Sequence, residues 1–185
     1  MSEARPLRIL RIADVPDNRT GGMSRYIHFV SDELRAAGHT VDHAFSADLG
    51  GGGGKFRRFL SPVRAVRAVR ARLRAGGRYD VVEIHEPIAA AYAVARRRSR
   101  DLPPLLVTVY ALEARALQTR LAYARLKGER PPLRSRLSPL SVVWQANLAL
   151  RLADHVCVET AEDVEFLRRR LGVRADRISV QHGGI

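Results

Sequence analysis

The apolar positions of this chain fall into short runs separated by segments with helical spacing. Six runs predict strands: LRILRIADV (7–15), TVDHAFS (40–46), YDVVEIHEP (79–87), PPLLVTVY (103–110), DHVCVE (154–159) and RISVQHGGI (177–185), the last ending in a glycine exit. Strands that alternate with helices pair in parallel through right-handed crossovers. The pattern therefore predicts one α/β domain built on a doubly wound, mainly parallel sheet of about six strands.

The intervening segments predict helices, and their spacing predicts which side chains are buried. The helix after the first strand is expected to bury Tyr26, Phe29, Val30, Leu34 and Ala37 and to end at Gly38. The next helix, 56–73, is expected to bury Phe56, Phe59, Leu60, Val63, Val66, Val69 and Leu73, with Pro62 kinking or dividing it.

Two segments predict loops, and one residue predicts a helix start. Five consecutive glycines at 50–54 predict a mobile loop, and 127–139 predicts a basic, proline-containing loop. Thr160 is expected to cap the helix after the fifth strand, with Asp163 at the capping-box position.

Length and composition predict a globular domain rather than a disordered or membrane-spanning chain. With 185 residues, 46% of them hydrophobic, the chain can bury one core, and we expect a single domain over 1–185. No apolar run is long enough to span a bilayer, and the N-terminus lacks a secretory signal, so we expect a cytoplasmic protein. The single cysteine, Cys157, lies in an apolar run and is expected to be a buried, inert thiol.

The formal net charge of +13 predicts an anionic partner: a membrane, a nucleic acid or a phosphorylated substrate. The helix 56–73, apolar on one face and rich in arginine elsewhere, either lies on an anionic membrane or packs on the sheet with its arginines solvated. Nucleic-acid binding is disfavoured because no recognised motif is present and only 6% of residues are aromatic.

Gly21 and Gly22 stand where the loop after the first strand turns into a helix. Either the pair permits a tight turn, or it lets an anion such as a diphosphate approach the free backbone amides of the helix N-terminus. Neither the G-x-G-x-x-G pattern nor the P-loop pattern is present, which argues against NAD and ATP.

Polar residues follow the third and fourth predicted strands. The third strand ends in His85, Glu86 and Pro87; the fourth ends in Tyr110, with Glu113 shortly after. All are expected at the same edge of the sheet as the glycine pair, where doubly wound folds bind ligands. They either perform acid–base chemistry or are ordinary loop residues. No cluster of residues predicts a metal site.

Several segments, taken in order, resemble the N-terminal domain of family 4 glycosyltransferases. They are the glycine pair with a helix ending in GHTV, YDVVEIHEP, LLVTVYALE, RLADHVCVETAEDVEFLRRRLGV and ISVQHGGI. The stretch ADHVCVETAEDVEFL is the most specific, and the resemblance covers essentially the whole chain. It implies half of a GT-B fold, in which two Rossmann-like domains face each other across a cleft.

The resemblance implies an enzyme that moves a sugar from a nucleotide-diphosphate donor to a glycan, lipid or small-metabolite acceptor. The donor is a co-substrate, and no further cofactor is implied. Gly21 and Gly22 would face the donor diphosphate, His85, Tyr110 and Glu86 would lie at the reacting groups, and Glu113 and Arg25 would contact the acceptor. The family often has T-x-H where this chain has Tyr110, and a phenol is a poorer base than an imidazole.

The resemblance further implies that the donor-binding domain is missing from these 185 residues, so we expect the isolated chain to bind an acceptor weakly and to transfer nothing. A donor-domain chain acting in trans is one expected partner, and the inner membrane face is an expected peripheral location. The alternative is a non-catalytic sugar- or lipid-binding subunit that regulates a partner glycosyltransferase; Tyr110 and the missing domain favour it.

Overall fold

Six strands form one parallel sheet in the order β2-β1-β3-β4-β5-β6 in the computed structural model, which describes residues 5–50 and 57–181. The strands are β1 (Arg8–Ile12), β2 (Thr40–Ala44), β3 (Val81–His85), β4 (Leu105–Thr108), β5 (His155–Val158) and β6 (Ile178–Val180). All five pairings are parallel. The predicted fold class, a doubly wound parallel sheet, is confirmed.

Seven α-helices and two short 3₁₀ helices connect the strands within the described residues. They are α1 (Gly22–Ala36), α2 (Arg57–Arg74), α3 (Ala90–Arg98), α4 (Glu113–Leu126), α5 (Leu133–Leu137), α6 (Val142–Leu152) and α7 (Ala161–Leu171), with 3₁₀ turns at Ser138–Leu140 and Ala175–Arg177. The chain leaves β1 in one direction to form β2 and then crosses back to form β3. Strand order therefore reverses between β1 and β3, which places the crevice at their carboxyl ends.

The two faces of the sheet differ in polarity. On one face Ile12, Ile84, Val107 and Val156 lie side by side in register and belong to the main apolar cluster, which α2, α3, α6 and α7 complete. On the other face Arg11 aligns with Glu83, and His85 aligns with Thr108 and Cys157. Because right-handed crossovers in opposite directions lie on opposite faces, α1 covers this polar face.

The buried face predicted for α1 is wrong. Phe29 is 62% exposed and Ala37 is exposed, whereas the residues that α1 buries are Ser24, Ile27, His28 and Ser31. The physical reason is the polar face beneath it. The guanidinium of Arg11 donates hydrogen bonds to the Ile27 carbonyl at 2.9 Å and to Ser31 Oγ at 2.8 Å.

The face predicted for α2 is correct only in part. Val66 and Val69 are buried against the sheet, but Leu60 and Val63 are exposed. Pro62 does not divide this helix, which runs continuously through it. The side chains of Phe56 and Phe59, the glycines 51–54 and the glycine exit at 182–185 lie outside the described residues.

The prediction of a loop at 127–139 is wrong in part, because α5 and a 3₁₀ turn occupy its second half. The helix ends that the sequence predicts are confirmed. Thr160 Oγ1 accepts a hydrogen bond from the Asp163 amide at 3.2 Å, and Gly38 follows α1 with a φ of +90°. Cys157 is buried, as expected. In the described residues no helix is both long and apolar enough to cross a bilayer.

Candidate active site

A buried ion pair forms the floor of the crevice between β1 and β3. Arg11 Nε and Nη2 donate to the two carboxylate oxygens of Glu83 at 2.7 and 2.8 Å, and Thr108 Oγ1 also donates to Glu83 at 2.9 Å. Burial alone would raise the pKa of Glu83, but the Arg11 guanidinium and these hydrogen bonds hold it below its ordinary value. Glu83 is therefore a fixed carboxylate whose oxygens are already bonded.

His85 lies two residues after Glu83 on β3, between this ion pair and the carboxyl edge of the sheet. Its Nε2 is 3.4 Å from Glu83 Oε1, and only 2% of the residue is exposed. Burial, reinforced by the Arg11 charge and opposed by Glu83, lowers the pKa of His85 to about 4. At neutral pH the imidazole is uncharged and offers one donor and one acceptor nitrogen.

Tyr110 covers His85. The two rings stack with centroids 5.2 Å apart and an angle of 6° between their planes. Burial is the main cause that raises the pKa of Tyr110 above its ordinary value, so its hydroxyl stays protonated. The predicted juxtaposition of an imidazole and a phenol at one edge of the sheet is present in the structure.

Tyr26, from the second turn of α1, packs edge-on against Tyr110 with centroids 5.0 Å apart. Its hydroxyl accepts a hydrogen bond from Gln181 Nε2 at 2.8 Å, so residues beyond β6 also reach this edge. Tyr26, Tyr110, Cys157, Glu159 and Gln181 line a cleft that is narrower than a water molecule.

Glu86 follows the histidine directly in the chain and is partly buried, with its Oε2 atom enclosed by the protein. One carboxyl oxygen accepts a hydrogen bond from the backbone amide of Glu113 at 3.3 Å, at the start of α4. Burial raises the pKa of Glu86 to about 8. The hydrogen bond from the Glu113 amide lowers this pKa, and the negative charges of Glu113 and Asp163 raise it further. Glu86 therefore carries a proton at neutral pH. The Glu113 side chain is directed to Arg120, 3.7 Å away.

Three of the residues predicted to be catalytic share a further property. Within the described residues, five buried side-chain atoms have no hydrogen-bond partner: His85 Nδ1 and Nε2, Glu86 Oε2, the Tyr110 hydroxyl and His28 Nδ1. Four of the five thus belong to His85, Glu86 and Tyr110. Such atoms are rare in native proteins, and their concentration at one edge marks a place where polar ligand groups can bind.

The glycine pair lies at the same edge, at the start of α1. Neither Gly21 nor Gly22 has a positive φ, so the turn itself does not require glycine. A Cβ at Gly22 would have no atom within 4 Å, which leaves the approach to the helix N-terminus open. No side chain caps this helix and its first turn holds no acidic residue. Arg25, the next charged residue of α1, is exposed.

Arg11 and Glu83 were not among the residues predicted from the sequence, although the sequence contains a signal for them. Each is a charged residue with an apolar neighbour on both sides within a strand, RILRI or VVEIH, and the two charges are opposite. Charged residues are almost never fully buried unless they are paired. The same argument does not identify Tyr26, whose partner Tyr110 is 84 positions away in the chain.

The model of the family described as "Glycosyltransferase Family 4" matches residues 20–185 of this chain. The chain belongs to this family. The matched segment contains all of the predicted site residues and begins just before the glycine pair. The comparison with curated protein sequences gave no match.

Solved structures similar to this family 4 domain have the GT-B fold. Sucrose-phosphate synthase from Thermosynechococcus elongatus aligns with a TM-score of 0.65 and 17% identity over 97% of this chain and 48% of its own. The catalytic domain of starch synthase IV from Arabidopsis thaliana, bound to ADP and acarbose, aligns with a TM-score of 0.64 and 14% identity, covering 98% of this chain and 52% of its own. The family 4 domain thus spans about half the length of these structures and has the fold of a GT-B half-domain.

Proposed function

We propose that this chain is the acceptor-binding half of a glycosyltransferase that moves a sugar from a nucleotide-diphosphate donor to an acceptor. The observation that carries the proposal is the set of unpaired buried atoms on His85, Glu86 and Tyr110. All three groups are uncharged at neutral pH, and together they offer donors and acceptors to a ligand with uncharged hydroxyls. A sugar is such a ligand, because each of its hydroxyls both donates and accepts.

The start of α1 supports the donor part of the proposal. The open, uncapped N-terminus at Gly21 and Gly22 offers backbone amides and partial positive charge to a diphosphate. In this proposal Arg25 and Glu113 contact the acceptor, His85 and Tyr110 bind the reacting hydroxyl, and Glu86 donates its proton in a hydrogen bond. The nucleotide sugar is the only small co-substrate, and no metal or other cofactor takes part.

A non-catalytic role is the second candidate, and one observation favours it. His85 is almost completely buried beneath Tyr110, and the cleft beside the two rings does not admit water. A subunit that binds a sugar or lipid and regulates a partner glycosyltransferase needs no access to this imidazole. The two candidates differ in whether sugar transfer depends on His85 once a donor-binding half is present.

Acceptor binding can be tested with the hydroxyl of Tyr110. We expect Tyr110→Phe, which keeps the stacked ring, to weaken binding of the best ligand from a glycan array about tenfold, because one hydrogen bond to the sugar is lost. Thr119→Ala, at an exposed position of α4, serves as the control and should leave the affinity unchanged. Equal affinities of the Tyr110→Phe variant and the unaltered chain would contradict the acceptor site.

Catalysis can be tested with UDP-glucose as the donor probe. We expect the 185-residue chain by itself to transfer no sugar to the array ligand, because it spans only about half the length of the similar enzymes. Turnover by the purified chain would contradict this. If a donor-binding chain restores transfer, His85→Ala should abolish it; transfer that persists in that variant would favour the regulatory candidate.

A further inference from the structure

Most of the exposed large apolar side chains are concentrated in one region of the chain. Of ten such side chains among the described residues, six lie between positions 123 and 144: Tyr123, Leu126, Leu133, Leu137, Leu140 and Trp144. Leu126 is 86% exposed and Leu140 is 80% exposed. Scattered exposed apolar residues are normal, but a concentration of this size marks an interaction surface.

These six residues lie on consecutive elements that contact one another. Tyr123 and Leu126 end α4, the next two lie on α5, Leu140 ends the 3₁₀ turn, and Trp144 lies in the first turn of α6. α5 packs on α4 and on the 3₁₀ turn, which in turn packs on α6. Leu133 and Leu137 are four residues apart on α5, so they follow one side of that helix. We call this region the α4–α6 surface.

The α4–α6 surface is strongly basic. Residues 120–140 contain six lysine or arginine residues and a single acidic residue, Glu129. In the described part of the chain Arg125, Lys127, Arg130 and Arg136 are exposed and form no ion pair. The Lys127 ammonium lies 4.7 Å from the centroid of the Tyr123 ring, so positive charge and apolar surface are adjacent.

We propose that the α4–α6 surface docks this protein on an anionic lipid bilayer. Leucine side chains would enter the acyl boundary, Tyr123 and Trp144 would lie at the headgroup level, and the four cations would contact acidic headgroups. The occupant is inferred from charge complementarity: the surface combines four cations that form no ion pair within the described residues with exposed leucines, and acidic lipid headgroups above an acyl layer supply both missing partners.

This proposal goes beyond sugar transfer, and it changes the location of membrane contact. The sequence analysis considered the helix 56–73, but α2 buries Val66 and Val69 against the sheet and exposes only Leu60 and Val63 among its described large apolar side chains. The helix therefore packs on the sheet, as the alternative reading predicted. The α4–α6 surface has the exposed apolar area that α2 lacks.

Trp144 provides a direct measurement, because it is the only tryptophan of the chain and is 58% exposed. On titration with vesicles of phosphatidylcholine and phosphatidylglycerol, we expect its emission to shift to shorter wavelength and to be quenched by brominated acyl chains. Vesicles of phosphatidylcholine alone should produce neither effect.

Matched variants locate the contact. We expect Leu137→Glu/Leu140→Glu to lower the vesicle partition coefficient by at least about tenfold, since two apolar insertions are replaced by charges that anionic lipid repels. The control Leu60→Glu/Val63→Glu carries the same charge change at exposed positions of α2 and should bind like the unaltered chain. Circular dichroism of both variants checks that they fold.

Three results would overturn the proposal. The first is absence of binding to the anionic vesicles, and the second is vesicle binding without any change in Trp144 emission. The third is a loss of binding in Leu60→Glu/Val63→Glu that equals the loss in Leu137→Glu/Leu140→Glu. A blue shift of Trp144 that depends on protein concentration and needs no lipid would assign the surface to self-association instead. None of these results bears on the sugar-binding site, which the Tyr110→Phe test addresses separately.

Discussion

At the scale of single residues, the site combines a charged floor with an uncharged upper layer. The Arg11–Glu83 pair keeps both of its charges, whereas His85 and Glu86, next to it, are held in their neutral forms by burial. A neutral carboxylic acid can donate a hydrogen bond, which a carboxylate cannot. Glu83 and Glu86 are the same residue type at neighbouring positions, yet Glu83 is a carboxylate and Glu86 a neutral acid because their surroundings differ.

The protonated state of Glu86 predicts a pH dependence of stability. Its folded pKa of about 8 exceeds the ordinary 4.5, so the folded chain holds this proton more tightly than the unfolded chain. The resulting stabilisation is complete below about pH 4.5 and is lost as the pH rises to about 8. We expect Glu86→Gln, which remains neutral, to match the unaltered chain at pH 4 and to exceed it at pH 8.5 by on the order of 4 kcal/mol in urea unfolding.

The comparison at each pH removes the contribution of His85, which both proteins share. That contribution has the opposite sign: the folded pKa of His85 is depressed to about 4, so its stabilisation is lost as the pH falls through this value. Equal stabilities of the Glu86→Gln variant and the unaltered chain at pH 8.5 would contradict a buried, protonated Glu86.

At the scale of elements, α1 is attached to the sheet differently from the other crossover helices. α2, α3, α6 and α7 pack on the main apolar cluster, whereas α1 contributes Ile27 to a separate small cluster with Ala13 and Phe45. The helix also packs His28 against His43 and Phe45 and Tyr26 against Tyr110, and Arg11 donates hydrogen bonds to the Ile27 carbonyl and to Ser31 Oγ. The helix that carries the glycine pair is therefore held by a small apolar cluster, by ring contacts and by the buried Arg11 side chain.

Removal of Arg11 should be costly. Arg11→Met leaves Glu83 buried without its partner and α1 without two hydrogen bonds, so we expect a loss of about 3–5 kcal/mol in urea unfolding. The double variant Arg11→Met/Glu83→Met has no uncompensated charge and should recover most of this loss. The control Arg8→Met lies on the same strand, but its ion pair with Asp42 is exposed, and it should change stability little. A small effect of Arg11→Met would contradict this role.

The sequence predicts elements better than it predicts faces. The six strands and their parallel pairing follow from apolar runs that alternate with helical segments, because such an alternation is typical of a parallel sheet covered by helices. The orientation of α1 does not follow, since Phe29 and Val30 fit a helical stripe as well as Ile27 does. It is fixed by contacts with residues outside the helix, among them the hydrogen bonds from Arg11, whose own partner Glu83 is 72 positions further along the chain.

The candidate site was predictable to a similar extent. His85, Glu86 and Tyr110 follow strands, and parallel strands end at one edge, so their proximity could be inferred. The burial of His85 could not, because the ring of Tyr110 covers it and Tyr26 of α1 packs against Tyr110. α5 was missed because it has five residues and only one pair of apolar side chains at helical spacing, too few to distinguish it from a loop.

At the scale of the whole molecule, the net charge of +13 must be distinguished from the local positive charge of the α4–α6 surface. Arginines are distributed over many elements. Arg168 and Arg170 of α7, for example, are exposed and lie outside the basic segment 120–140. A general polycation binds any polyanion through its total charge, whereas a docking surface binds through local charge combined with apolar area.

Charge reversal at two places separates these effects. We expect Arg125→Glu/Lys127→Glu to weaken binding to anionic vesicles by at least about tenfold, and Arg168→Glu/Arg170→Glu to weaken it far less. At low salt both variants should bind random DNA slightly more weakly than the unaltered chain and equally to each other, because both lower the net charge by four. Equal effects of the two variants on vesicle binding would indicate that total charge alone is responsible.

Because α1 packs on a small apolar cluster separate from the main one, it can control how a ligand reaches the carboxyl edge of the sheet. Tyr26, which shields Tyr110 and thereby His85, moves wherever α1 moves, and so do Gly21 and Gly22. Helices that share little apolar contact with the rest of a domain open at lower free energy than the global unfolding transition. A brief outward movement of α1 would expose the His85 imidazole to solvent while all six strands of the sheet stay paired.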